Sequence, residues 1–260
     1  MKVKSIAFIV AAWCIVCACR EKIYIAPQLV DTQDRVVAPP EGFHPFYKKY
    51  INADGIPIVG SRNVQDEAFV RARHTVINML AKRPDVLAQM VFHRARLGII
   101  ADEEVTSDLP EYANEKDPKA FSARGRGYGG TLFDPFASCA EENIMRNKVL
   151  DEWYGHDILI HEFAHSIHLI GLNTAVRGFQ ERLDKTYANA RARGLWKDTY
   201  AGTNSIEYFA VCTQAWFHLN PDVVGDGLID TRKELKTYDP LMYELLETVY
   251  YDNEWQPAPF

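Results

Sequence analysis

The pattern of apolar and polar positions changes its period along the first part of the chain. Between 64 and 82 the apolar residues recur every three or four positions, which predicts an amphipathic helix. Pro84 ends that helix and begins a second, shorter one. The runs at 56–60 and 94–101 are short and mostly apolar, which predicts two extended segments that can pair as strands.

The same pattern predicts that the second half of the chain is mostly helical. Apolar residues dominate 157–169, which predicts a helix that is buried on most sides. The stretches 176–194 and 238–250 have the spacing of amphipathic helices, and 199–219 is expected to contain another. The glycine-rich stretch 124–130 lacks the Lys-Ser/Thr ending of a phosphate-binding loop. A mobile or tightly turning loop is expected there, and the alternative is a flap or edge beside a cleft.

The composition is that of a globular protein with one main domain. The 260 residues are 47% hydrophobic and 12% aromatic, which is enough apolar material for a sizeable core. The net charge is −6, and no basic stripe with interleaved aromatic residues is present. A nucleic acid is therefore not expected as a partner.

The N-terminus has the features of a targeting segment. In residues 1–18 two lysines precede an uncharged, mostly apolar run that is too short to span a membrane comfortably, which predicts a secretory signal peptide. The residues up to Cys19 resemble a bacterial lipoprotein signal, which implies lipidation of Cys19 and attachment to a membrane. Plain secretion and an uncleaved anchor are the alternatives, and each of the three places the folded part outside the cytosol. Residues 19–42 are expected to form a tether and residues 43–260 the folded domain.

Two cysteines lie in the predicted folded domain, Cys139 and Cys212. An oxidising compartment permits one disulfide between them, and this pairing is predicted. The alternative is a pair of buried thiols.

The most informative motif is H-E-x-x-H, which runs from His161 to His165. Positions four apart on a helix lie on one face, so both imidazoles can contact one metal ion. Glu162 can then reach a water on that metal, which is the arrangement of zinc peptidases. The flanking residues are apolar, and titratable groups in such a helix are costly unless they are satisfied.

A catalytic zinc site keeps three protein ligands and one open position, so one more ligand is needed after His165. His168 lies on the same stripe of the helix but one turn further on, and it is expected to pack or to support the ligands. Glu207, on a downstream helix, is the better candidate for the third ligand. Asn204-Ser-Ile-Glu207 also has the spacing of a capping box, and the spacing alone leaves both interpretations open.

A resemblance favours the ligand interpretation. His161-Glu-Phe-Ala-His165 is followed by Tyr200 and, seven residues later, by Glu207-Tyr-Phe-Ala210. This order resembles the zincin metallopeptidases of the anthrax lethal factor type. Those proteins carry H-E-F-G-H and then a tyrosine seven residues ahead of E-F-F-A-E. The resemblance covers roughly residues 155–218.

The resemblance implies a role for each matching residue. His161, His165 and Glu207 would bind one Zn²⁺ ion, Glu162 would be the general base, and Tyr200 would stabilise the oxyanion.

The chain departs from that family at Val211, where the family has a second acid. That acid is expected to support a histidine ligand through a hydrogen bond, so its absence bears on metal affinity and turnover. Glu141 or Glu142 could take its place.

The expected fold class is α+β and zincin-like. A small twisted sheet from the regions of Ile56 and Leu97 should pack on the helix that contains the H-E-x-x-H motif, with a mainly helical C-terminal half. The expected function is that of a secreted or lipid-anchored, monomeric zinc metallopeptidase whose protein or peptide substrate lies extended along a sheet edge. The alternatives are an inactive zincin-like surface binding protein and a zinc hydrolase acting on a non-peptide amide.

Overall fold

A five-stranded mixed sheet lies in the N-terminal half of the part of the chain that this computed structural model describes, residues 34–217 and 229–259. The strands are β1 (Lys49–Ala53), β2 (Ile56–Gly60), β3 (Arg96–Ile100), β4 (Gly127–Tyr128) and β5 (Phe136–Ala140). Their order across the sheet is β1-β2-β3-β5-β4. β2, β3 and β5 are parallel, and each outer strand is antiparallel to its neighbour. β4 is therefore the edge strand opposite the β1–β2 hairpin.

The turn between β1 and β2 follows from its sequence. Asp54 and Gly55 have φ of 50° and 100°, and a two-residue type I′ turn requires positive φ at both positions. Asn52 Oδ1 accepts the Gly55 N–H at 2.7 Å. Parallel strands need a crossover connection, and α1 (Asp66–Leu80) and α2 (Pro84–Phe92) supply it between β2 and β3.

The rest of the described chain is mainly helical. The helices after β3 are α3 (Pro118–Arg124), α4 (Glu141–Ile144), α5 (Ile158–Ser166), α6 (Asn173–Ala175), α7 (Phe179–Ala192), α8 (Ser205–Phe217), α9 (Arg232–Tyr238) and α10 (Pro240–Tyr250). A π-helical segment, Ile167–Leu172, continues α5, and a 3-10 turn, Tyr200–Gly202, precedes α8. α5 packs against both β5 and α8 and so lies between the sheet and the C-terminal helices.

Both faces of the sheet are covered, which explains the continuous apolar runs in its strands. Ile58 and Leu97 point into the main core, which extends through α1, α5 and α8. Val59 and Ile100 point to the other face, into a smaller cluster with Phe136. Successive side chains of a strand point to opposite faces, so strands buried on both sides need apolar residues at consecutive positions.

The predicted α+β class is confirmed, with a small mixed sheet that packs on α5 and a mainly helical second half. The predicted helix at 64–82 is α1, and the predicted strands at 56–60 and 94–101 are β2 and β3. The apolar pattern predicts neither β4 nor β5. β5 consists mostly of small residues, and β4 is too short to show a period.

The predicted signal peptide and lipidated cysteine lie outside the described residues. The described part belongs to one unit, Thr32–Phe260. Asp34, in the segment predicted as a tether, pairs with Arg73 at 3.0 Å, and Val37 forms a β-bridge with Tyr50, so this segment contacts the folded part from Asp34 onward. Within residues 34–217 and 229–259, no helix is both long and apolar enough to cross a membrane.

The predicted disulfide between Cys139 and Cys212 is wrong in this structure, where both are buried thiols. Cys139 lies in β5 and Cys212 in α8, and α5 packs against both of these elements. A disulfide requires Cα atoms within about 4.4–6.8 Å, which elements on two sides of a helix do not readily provide. Burial raises the pKa of the Cys139 thiol, which keeps it protonated and unreactive.

Candidate metal centre

The α5 helix begins at a capped and charged N-terminus. Asp157 Oδ1 accepts the Ile160 N–H at 3.0 Å, which satisfies one of the first N–H groups of the helix. The other carboxylate oxygen of Asp157 pairs with Arg146. The helix buries most of its surface, and its buried residues include Leu159, Ile160, Phe163 and Ala164. These contacts hold the H-E-x-x-H segment at the wall of a cleft.

Three side-chain atoms from α5 and α8 converge at this wall. His161 Nε2 and His165 Nε2 lie 3.2 Å apart. Glu207 Oε2 lies 3.1 Å from His161 Nε2 and 3.3 Å from His165 Nε2. The three atoms form a nearly equilateral triangle, and this group could hold a metal ion.

The triangle has the dimensions that a small metal ion requires. Nitrogen and oxygen ligands of zinc lie about 2.0–2.2 Å from the ion in a tetrahedral arrangement, so two ligands are roughly 3.3 Å apart. The three separations in the structure are 3.1, 3.2 and 3.3 Å. Two imidazoles and a carboxylate are also a usual ligand set for catalytic zinc. The residues present therefore fit such an ion.

The Glu207 carboxylate is directed at the imidazoles and away from the start of its own helix. Asn204 Oδ1 accepts the N–H groups of Ile206 and Glu207, each at 2.9 Å, and caps the helix with its own side chain. Burial raises the pKa of Glu207, but the hydrogen bonds and charges of His161 and His165 outweigh it and lower that pKa to about 2. The geometry favours the ligand interpretation of Glu207 over the capping box.

Glu162 lines the same cleft beside the three converging atoms. Burial raises its pKa, and the imidazoles of His161 and His165 offset this only in part. A carboxylate with a raised pKa accepts a proton more readily at neutral pH, as a general base must.

Tyr200 lies beside His161 and lines the same cleft. Its ring is exposed, and the centroid is 5.8 Å from that of His161. Burial of the hydroxyl and the charges of Glu207 and Glu162 raise the pKa of Tyr200, so the phenol stays protonated and can donate a hydrogen bond.

The loop that carries Tyr200 is anchored at both ends. Trp196 donates from its backbone N–H to the Tyr238 hydroxyl at 2.9 Å and from its indole to Asp239 at 2.9 Å. Gly202 follows Tyr200 at a point where a Cβ would lie 2.0 Å from Trp196 O. Only glycine permits this close approach of the two backbone segments.

The glycine-rich stretch 124–130 contains the edge strand β4, Gly127–Tyr128, and packs against α5. A Cβ on Gly129 would lie 2.3 Å from His165 Cβ, and a Cβ on Gly127 would lie 2.8 Å from Ile158 Cγ2. Gly130 N–H donates to Ser166 Oγ at 3.0 Å. The glycines let the backbone of β4 lie directly on the helix, so this stretch forms one wall of the cleft. Of the two expectations for this stretch, the element beside the cleft is the one observed.

The two acids suggested as substitutes for the missing family acid do not contact the histidines. Glu142 pairs with Arg126, with one bond at 2.9 Å. Glu141 accepts the Gln65 N–H at 2.7 Å. Both acids lie at the start of α4 and support the loops around the cleft. The prediction that one of them takes the place of the family acid is therefore wrong.

The residue that contacts His161 in their place is Gln214, whose Oε1 lies 3.0 Å from His161 Nδ1. Sequence reasoning missed it. One signal was present, because Glu207, Val211 and Gln214 have the i, i+4, i+7 spacing of a single helix face.

His168 packs in the core and does not belong to the converging group, in agreement with the sequence-based interpretation. Its side chain is fully buried, and its Nε2 bonds Gln180 Oε1 at 2.8 Å. Its ring contacts Phe179 and Phe209. Burial lowers the pKa of His168 to about 4.

Because of this pKa, we expect His168 to make folding pH-dependent. The unfolded chain protonates this histidine near its ordinary pKa of 6.5, and the folded chain only near 4. Between these values the unfolded state binds more protons, so the free energy of unfolding falls as the pH falls from about 6.5 towards 4. By pH 5 the loss is about 2 kcal/mol relative to pH 7.

Urea unfolding of the metal-free protein at both pH values, for wild type and His168→Gln, measures this contribution. The difference in the free energy of unfolding between pH 7 and pH 5 should be about 2 kcal/mol smaller in the variant than in the wild type. The titrations of all other groups cancel in this comparison. An unchanged difference would show that His168 does not titrate in this way.

The cleft beside the converging group has a volume of about 1560 Å³. One wall is β4, and another is formed by α5 and the start of α8. The loop before α5 contributes two apolar residues that are exposed at the rim, Leu150 and Trp153.

No protein-family model, curated protein sequence or solved structure matches this chain. The resemblance to lethal-factor-type zincins is therefore carried by the motif residues alone and stays a prediction. The convergence of His161, His165 and Glu207 is carried by the geometry.

Proposed function

We propose that this protein is a zinc-dependent metallopeptidase with a zincin-like fold. The observation that carries the proposal is the triangle formed by His161 Nε2, His165 Nε2 and Glu207 Oε2, with edges of 3.1–3.3 Å. His161 and His165 from the H-E-x-x-H helix and Glu207 from a downstream helix would hold the ion, and three protein ligands are the usual number at a catalytic zinc site.

A bound zinc ion supplies a Lewis acid that polarises a carbonyl and makes a water more acidic. Glu162 accepts a proton as water oxygen forms a bond to the peptide carbonyl carbon, and its raised pKa suits it to this role. Glu162 then delivers the proton to the amine as the C–N bond breaks. One water is consumed, and the products are a carboxylate and an amine.

Tyr200 is the donor for the charge that develops on the carbonyl oxygen. Its raised pKa keeps the hydroxyl protonated at neutral pH, and the anchored loop at Trp196 places it beside His161. A fixed donor at the position where negative charge develops contributes to catalysis without reorganising during the reaction.

The substrate in this proposal is a protein or peptide that lies extended along β4. β4 is an edge strand beside the metal centre, and the outer edge of such a strand offers backbone groups to a further strand. Because the features at residues 1–19 predict a signal peptide and lipidated Cys19, we place this activity outside the cytosol, secreted or attached to a membrane.

Metal removal tests the proposal. The purified wild-type protein should contain one zinc ion per chain and hydrolyse members of a peptide library. Dialysis against a chelator should abolish hydrolysis, and stoichiometric Zn²⁺ should restore it. A chain that binds no zinc after the metal is offered would exclude a zinc peptidase, and a chain that binds zinc but cleaves no peptide would favour a binding protein or a hydrolase of another amide.

A further inference from the structure

Gln214 connects the two helices that carry the converging group. It lies on α8, seven positions after Glu207, and therefore on the same face of the helix. Its Oε1 lies 3.0 Å from His161 Nδ1. Its Nε2 donates to the backbone oxygen of Asp157 at 3.0 Å, and Asp157 is the residue that caps α5.

The second of these hydrogen bonds determines how the amide of Gln214 is oriented. A backbone carbonyl only accepts hydrogen bonds, so the NH₂ group of the amide must face Asp157 O. The amide oxygen must then face His161. An amide oxygen only accepts, so His161 Nδ1 must carry the proton that it donates.

A neutral imidazole carries one N–H. With the proton on Nδ1, the lone pair of His161 lies on Nε2, which is the atom that faces His165 and Glu207. We propose that Gln214 is a positioning residue of the metal centre, which selects this tautomer of His161 and fixes its ring for metal binding. This inference rests on the proposed function, because it assigns a purpose to the same site.

The neighbouring residues show why the support comes from position 214. Val211 lies one turn earlier on the same face and lines the cleft, but its side chain has no acceptor. His165 Nδ1 is buried and has no hydrogen-bond partner in the described part of the chain. Gly129 packs on the His165 ring instead. His161 is thus oriented by a hydrogen bond and His165 by packing.

Zinc affinity tests the inference without any measurement of activity. Methionine has the length of glutamine and makes neither hydrogen bond, so we expect Gln214→Met to weaken Zn²⁺ binding by about 10–100-fold in competition with a chelating dye. Gln214→Glu keeps the acceptor for His161 but loses the donor to Asp157 O, so it should bind Zn²⁺ more tightly than Gln214→Met.

Gln180→Met is the matched control. Gln180 Oε1 also bonds a buried imidazole, that of His168, but His168 is outside the converging group. This variant loses the same kind of hydrogen bond, so it should keep wild-type zinc affinity. Wild-type affinity in Gln214→Met, or an equal loss in Gln180→Met, would overturn the inference. Thermal unfolding of the metal-free variants shows whether each is folded.

The tautomer of His161 is a separate readout that needs no zinc. Without a metal, the Glu207 carboxylate also accepts a proton from His161 Nε2, at 3.1 Å, so the spectra are recorded on metal-free Glu207→Ala protein. Nitrogen chemical shifts in alkaline solution, where the imidazole is neutral, should then show the proton on Nδ1. Adding Gln214→Met should remove this preference, and adding Gln180→Met should keep it. If the wild type bound no zinc, the proposed function would fail, and these spectra would still decide whether Gln214 sets the tautomer. A proton on Nε2 in the Glu207→Ala protein would overturn the inference.

Discussion

Replacing Glu162 by glutamine is expected to lower peptide turnover by about 10²–10⁴-fold, which is the usual contribution of a general base. The amide has nearly the same shape but cannot accept the proton of the attacking water. Zinc content should stay at one per chain, because Glu162 is outside the group formed by His161, His165 and Glu207. The measurements are kcat on a cleaved library peptide and zinc by elemental analysis.

Glu152→Gln is the control for this variant. Glu152 is exposed and lines the same cleft, so its replacement removes an equal charge from the same region. It should leave kcat near wild type. If both variants lost turnover to the same extent, the effect would come from the charge of the cleft, and Glu162 would not be the base. If the wild type showed no turnover and Glu162→Gln kept a binding function, a surface binding protein would be favoured.

Replacing Glu207 by alanine is expected to remove most of the zinc from the purified protein. The variant leaves two imidazoles, and the carboxylate oxygen at 3.1 and 3.3 Å from their Nε2 atoms is lost. Turnover should fall with the zinc content, and excess Zn²⁺ should restore only part of it. Zinc per chain after dialysis against a metal-free buffer is the measurement.

Glu181→Ala separates this effect from that of a helix cap. Glu181 is an exposed acid in the first turn of α7, as Glu207 is in the first turn of α8. Both substitutions remove a negative charge from a helix N-terminus, which usually costs roughly 0.3–1 kcal/mol. Glu181→Ala should keep one zinc per chain. If Glu207→Ala also kept its zinc, Glu207 would serve only its own helix, and the third ligand would have to be another residue.

Local features of this chain could be predicted because neighbouring residues decide them. The three- and four-residue apolar spacing predicts α1, and the Asp54-Gly55 pair is typical of the hairpin turn observed there. The four-residue separation of His161 and His165 places both imidazoles on one helix face wherever that helix lies. These predictions need only the geometry of a single element.

The strands β4 and β5 escaped prediction because tertiary contacts stabilise them. β5 has only small or aromatic residues that are buried on both faces, and β4 has two residues, so neither shows a period. Gly127 and Gly129 suggest a loop in isolation. Their lack of a Cβ is what allows β4 to pack on α5, and only the folded arrangement shows that.

Residue types and their spacing within single elements were enough to predict the α+β class, the H-E-x-x-H helix and a short set of candidate ligands. The remaining features depend on tertiary packing. It brought Glu207 to the two imidazoles, separated Cys139 from Cys212, and placed Gln214 behind His161. The physical reason is that a helix can pack on its neighbours at several angles and registers. The packing of α5 between β5 and α8 selects one of these, and distances of 3.0–3.3 Å between side chains on different helices follow from that choice.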